Sequence, residues 1–120
     1  YMNYSAETMD LTIQIESKKA LENVDEILKV PGIDMVATGR ADLSQELGVP
    51  GQKEHPDVMN AENEIIQKTL ENGKFPIITA NSQKRIQELY DMGVRCFVVG
   101  KDEALLEQGI RKKLSSIKGE

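Results

Sequence analysis

Three short polar stretches follow apolar runs in this chain: Gln14-Ile15-Glu16, Gly39-Arg40-Ala41-Asp42 and Thr79-Ala80-Asn81. Glu16 and Asp42 offer hard carboxylate oxygens. Such donors suit a divalent cation such as Mg²⁺ or Mn²⁺, with Co²⁺ also admissible. An ion of this kind takes one or two carboxylates and fills its other positions with water or substrate. The chain has 20 acidic residues, so helix caps or solvated carboxylates are the other reading open to this pair. Thr79 would add a substrate-binding hydroxyl to the same rim.

Other reactive side chains are few. His55 is the only histidine and precedes Pro56, so entry into a helix is its simplest role and no histidine-rich metal site can form around it. Cys96 is the only cysteine and begins an apolar run, which reads as a buried, inert thiol. Gly100-Lys101-Asp102 could meet an anion at a helix N-terminus, and an ordinary strand-to-helix turn explains it equally well. Lysine runs such as Lys18-Lys19 and Arg111-Lys112-Lys113 read as solvated helix faces.

The elements that position these groups follow from periodicity. Leu11 to Glu16 alternates apolar and polar residues, which predicts a strand with Leu11, Ile13 and Ile15 on one face and Thr12, Gln14 and Glu16 on the other. Ser17 can cap a helix carrying Ala20, Leu21, Val24, Ile27 and Leu28 up to Pro31-Gly32. Strands recur at 35–38, 76–79 and 96–99. Pro56 suits a first helical position, with Val58, Ala61, Ile65, Ile66 and Leu70 as the stripe that Asn72-Gly73 ends. Ser82 can cap a helix burying Ile86, Leu89 and Tyr90. Asp102 can cap the last, with Leu106, Ile110, Leu114 and Ile117 along one side. Asp42 to His55 reads as a long connection, the kind that is often functional.

Four strands alternating with four helices predict a parallel sheet, hence an α/β fold and a single domain over residues 1–120. An open doubly wound sheet and part of an eight-stranded barrel both fit. The polar face of the first strand favours the barrel, whose mouth lies at the C-terminal strand ends. Four units make half a barrel and leave two open sheet edges.

Composition narrows the function. The net charge of −5, with both signs interspersed, provides no basic surface for nucleic acid. No apolar run approaches the ~20 residues of a membrane span and no leader pattern opens the chain, so it reads as cytoplasmic.

Gln14-Ile15-Glu16, Gly39-Arg40-Ala41-Asp42-Leu43-Ser44, Gly48-Val49-Pro50-Gly51-Gln52 with His55-Pro56-Asp57-Val58, and Val98-Val99-Gly100-Lys101-Asp102 resemble, in this order and spacing, the HpcH/HpaI aldolase family. The resemblance implies a phosphoenolpyruvate/pyruvate-type (β/α)8 TIM barrel, of which this chain would be the C-terminal half, strands five to eight. It implies a divalent metal at Glu16 and Asp42, Gln14 beside the substrate as a catalytic group, and amides near Ala41 and Asp42 on the pyruvate carboxylate. The implied reaction is cleavage of a 4-hydroxy-2-oxo acid to pyruvate and an aldehyde, without a Schiff-base lysine.

Arg40 stands where the family usually has the proline of Gly-Pro-x-Asp. It could pair with a second substrate carboxylate, as a catalytic or binding group, or form a salt bridge within the protein. The family's histidine and arginine for proton transfer and carbonyl polarisation come from the barrel's first half, so the chain alone is expected to be poorly active. The expected partners are a small oxo acid and either further copies of the chain or the missing N-terminal half-barrel. In related barrels the last helix is exchanged between subunits. The other functions considered are an acyl-CoA lyase of the citrate lyase β-subunit type and a non-catalytic barrel fragment acting as an assembly module.

Overall fold

In the computed structural model, residues 9–119 are described. Strand β1 spans Thr12–Ile15, β2 Met35–Thr38, β3 Phe75–Thr79 and β4 Cys96–Val98, and they pair in that order, all parallel. Helices α1 (Lys18–Glu22) and α2 (Val24–Leu28) follow β1, α3 (Arg40–Glu46) and α4 (Pro56–Glu71) follow β2, α5 (Gln83–Asp91) follows β3 and α6 (Asp102–Lys118) follows β4. The expected parallel α/β half-barrel is therefore what the chain forms.

The alternation in the sequence places the two sheet faces as expected. Ile13 pairs with Val36 and Val36 with Pro76 in the register, so these side chains share the helix-covered face. Ile15, Val24, Leu28, Ile33, Val36, Leu43, Val58 and Ile65 form one core cluster there. A second joins Ile66, Ile78, Ala80, Leu89 and Val94. Helix α4 touches both, because Ile65 and Ile66 are adjacent on its stripe, and each such buried side chain contributes about 1.5–3 kcal/mol. Lys68 of α4 also bonds Asp25 of α2 at 2.9 Å. That hydrogen bond, with a second to Glu64, holds the ammonium above its ordinary pKa.

The opposite face carries Gln14, Ala37, Ile77 and Cys96 as one row in register across the four strands. Phe75 on this face is 57% exposed. In a closed barrel these positions form the packed interior. Cys96 corrects the expectation of a buried thiol: it is half-buried, because its side chain points to this uncovered face rather than toward the helices. Helix α6 buries no residue, and Leu106, Ile110, Leu114 and Ile117 are all exposed.

Local signals set most element ends. Ser17 and Ser82 accept from Ala20 N and Arg85 N, and His55 caps α4 by accepting from Asp57 N. Four details differ from expectation. The first helix breaks in two at Asn23, whose amide bonds Lys19 O at 2.7 Å, diverting a carbonyl of the last turn. Lys101, not Asp102, is the cap of α6. Tyr90 is exposed, its ring lying under the Arg95 guanidinium at 3.9 Å. The connection from Asp42 to His55 begins inside helix α3, held by the buried Ser44: its hydroxyl donates to Ala41 O at 2.6 Å and accepts from Gly51 N at 3.1 Å. Among the described residues no helix is long and apolar enough to cross a membrane.

Candidate functional site

Glu16 follows β1 directly and Asp42 lies in the first turn of α3, which leaves β2 through Gly39. Because β1 and β2 are neighbours in a parallel sheet, both carboxylates come to the same end of it. They line one open hollow of about 230 Å³ with Ser17, Gln45 and Glu46. Gln14 is two residues before Glu16 on the same face, and its amide donates to Glu16 Oε2 at 2.8 Å. This fixes one carboxylate oxygen and orients the group.

Gly39 sets the depth of this arrangement. Its N–H donates to Ile15 O at 3.0 Å, which draws the turn against β1. A Cβ here would lie 2.6 Å from Glu16 Cβ and 2.7 Å from Gln14 Nε2. The requirement is for space, since the backbone has an ordinary φ of −103°. Gly39→Ala should therefore overpack the turn and cost about 1–3 kcal/mol. Urea unfolding measures this, and a midpoint equal to wild type would refute the close fit.

The donor set suits a hard divalent cation. Among the described residues no group of three or more His, Cys, Asp or Glu could hold a metal. A pair of exposed carboxylates matches an ion such as Mg²⁺, which keeps several waters or substrate oxygens.

Arg40 and Thr79 meet elsewhere, in a second hollow of about 390 Å³ that also includes Asn81, Ser82 and Arg85. Arg40 donates from Nη1 to Glu54 Oε1 at 2.9 Å, and its Nε lies 3.4 Å from Glu62 Oε1. Its cation is thus engaged by protein carboxylates. Ala41 is exposed in the first turn of α3 and lines neither hollow.

Residues 2–108 match the family HpcH/HpaI aldolase/citrate lyase. The chain belongs to this family. It is 35% identical over 109 residues to the 4-hydroxy-2-oxo-heptane-1,7-dioate aldolase of Klebsiella pneumoniae, covering 91% of this chain and 41% of that protein. It is 38% identical over 121 residues to the 2-keto-3-deoxy-L-rhamnonate aldolase of the same organism, covering 98% and 45%. Among solved structures, citrate synthase SbnG superposes with a TM-score of 0.88 at 27% identity, covering 98% of this chain and 48% of the other. The HpcH/HpaI aldolase of Desulfitobacterium hafniense gives 0.83 at 28%, covering 97% and 45%. The chain spans less than half the length of these relatives.

In this family member the sequence reading missed a buried carboxylate. Glu62 of α4 is 1% exposed, accepts from Thr38 Oγ1 at 2.8 Å and from Arg85 Nη2 at 2.6 Å, and faces Arg40. The signal was there: Glu62 stands one turn after Val58 and three residues before Ile65, within the apolar stripe of α4. A charged residue at such a position must find partners in the interior.

Proposed function

We propose that this chain carries the cation-holding part of a metal-dependent aldolase site that cleaves a 4-hydroxy-2-oxo acid to pyruvate and an aldehyde. One observation supports it above the others: Glu16 and Asp42, from successive strand ends, line a single hollow beside the Gln14 amide. Membership of an aldolase and lyase family gives the reaction class.

In this reading Glu16 and Asp42 would hold Mg²⁺ or Mn²⁺. When bound, such an ion supplies Lewis-acid stabilisation of the negative charge that develops as the carbon–carbon bond breaks. Gln14 orients Glu16 and stands beside the oxo acid. The amides of Ala41 and Asp42 open α3 without intrahelical acceptors and so are available to the substrate carboxylate. Thr79 contributes a hydroxyl farther along the rim. An acyl-CoA lyase would want uncommitted cations for phosphate groups, and Arg40 is engaged by Glu54 and Glu62, which favours the aldolase.

Calorimetric titration with Mn²⁺ is expected to show one site. Glu16→Gln or Asp42→Asn should each raise Kd at least about tenfold, or ~1.4 kcal/mol. Wild-type affinity in both variants would end the assignment.

A further inference from the structure

Glu62 grips the residues on both sides of Gly39. Thr38, immediately before it, donates to Glu62 Oε1 at 2.8 Å. Arg40, immediately after it, lies 3.4 Å from the same oxygen through Nε. Gly39 is the residue at which the turn lies too close to Gln14 and Glu16 to admit a Cβ. The other oxygen of Glu62 is tied to α5 by Arg85 at 2.6 Å. Glu62 sits on α4, whose apolar stripe spans both core clusters, so the carboxylate is anchored to a helix with six buried residues among those described.

We propose that Glu62 is a positioning residue, a buried clamp on Thr38 and Arg40 that fixes the Gly39 turn and thereby the approach of Asp42 to Glu16. This rests on the carboxylate-pair reading above for its consequence, though not for its geometry. Arg40 is then the part of the clamp that reaches α3. Its cation is spent on holding the first turn of that helix, where the residue two positions on is Asp42. Groups hydrogen-bonded directly to metal ligands typically alter metal affinity 10- to 100-fold, and a clamp that reaches the ligand through the backbone of one turn should act at the lower end of that range.

Amide hydrogen exchange and Mn²⁺ calorimetry on the full 120-residue chain test this with Glu62→Gln, Arg40→Gln, the double variant and Glu16→Gln. Glu62→Gln should speed exchange in residues 39–46 about tenfold or more beyond any uniform change in β1, β3 and α4, and should raise the Mn²⁺ Kd about 10-fold. Arg40→Gln should act in the same direction, and the double variant should lose clearly less than the sum of the two single losses, because the two share the Arg40–Glu62 contact. Unchanged exchange in residues 39–46, loosening spread evenly over the sheet, or fully additive losses would each overturn the clamp. If Glu62→Gln does not fold, Arg40→Gln, whose side chain keeps some solvent contact, decides by the same readouts. If Glu16→Gln binds Mn²⁺ like wild type, the metal reading fails, and the exchange pattern still upholds or overturns the clamp.

Discussion

Pyruvate release by the 120-residue chain is expected to be about 10²- to 10⁴-fold slower than by the same chain supplied with the first four βα units of the family's barrel, the range that general acid–base groups contribute. Within this chain the only histidine, His55, caps α4 by accepting from Asp57 N, and it does not line the hollow that holds the carboxylate pair. Arg40 is engaged by Glu54 and Glu62, so it does not replace a carbonyl-polarising arginine. The carboxylates, the Gln14 amide and the α3 amides remain, which should preserve cation binding while proton transfer is slow. A lactate-dehydrogenase-coupled assay compares the chain alone, the complemented form and its Glu16→Gln variant. Equal rates for the first two would show that the missing groups are not needed. No pyruvate from the complemented form with any 4-hydroxy-2-oxo acid would remove the aldolase reading.

The second large effect concerns stability. Arg85→Met is expected to cost about 3 kcal/mol, the lower end of the ~3–5 kcal/mol for stripping one partner from a buried ion pair, since the Arg85 side chain keeps some solvent contact. Glu62 would retain Thr38 and the more distant Arg40 but lose its shortest bond, 2.6 Å. The desolvation cost of the carboxylate would then stand largely uncompensated. Replacing both, as Glu62→Met with Arg85→Met, should recover part of the loss, because the buried carboxylate and its stripped partner go together, while Arg40 keeps Glu54 and only the Thr38 hydroxyl loses its acceptor. Urea unfolding of the three variants measures the difference. A loss below about 1 kcal/mol for Arg85→Met, or no recovery in the double variant, would show that the pair is not the support described.

The two experiments probe different links between sequence and function. The first asks whether the strand-end groups suffice for chemistry, the second whether the layer behind them holds its shape. Glu62 belongs to the second and affects the first only through Thr38, Gly39 and Arg40.

Local spacing was enough to specify the alternation of strands and helices, the covered and uncovered faces of β1, the caps at Ser17 and Ser82, the helix entry at His55 and the family, because a few neighbouring residues enforce each of these. It also placed Glu16 and Asp42 at strand ends, since parallel βα units put all such ends at one rim. Which groups meet there depends on how the helices pack. Glu16 and Asp42 share a hollow while Arg40 and Thr79 share another, because α3 begins at Arg40 and turns that side chain toward α4. No local pattern records this, since Glu54 and Glu62 lie 14 and 22 positions further along the chain. The half-exposed Cys96 is the same lesson on the other face: an apolar run predicts burial, but burial requires a second layer, and here the helices cover only one side of the sheet.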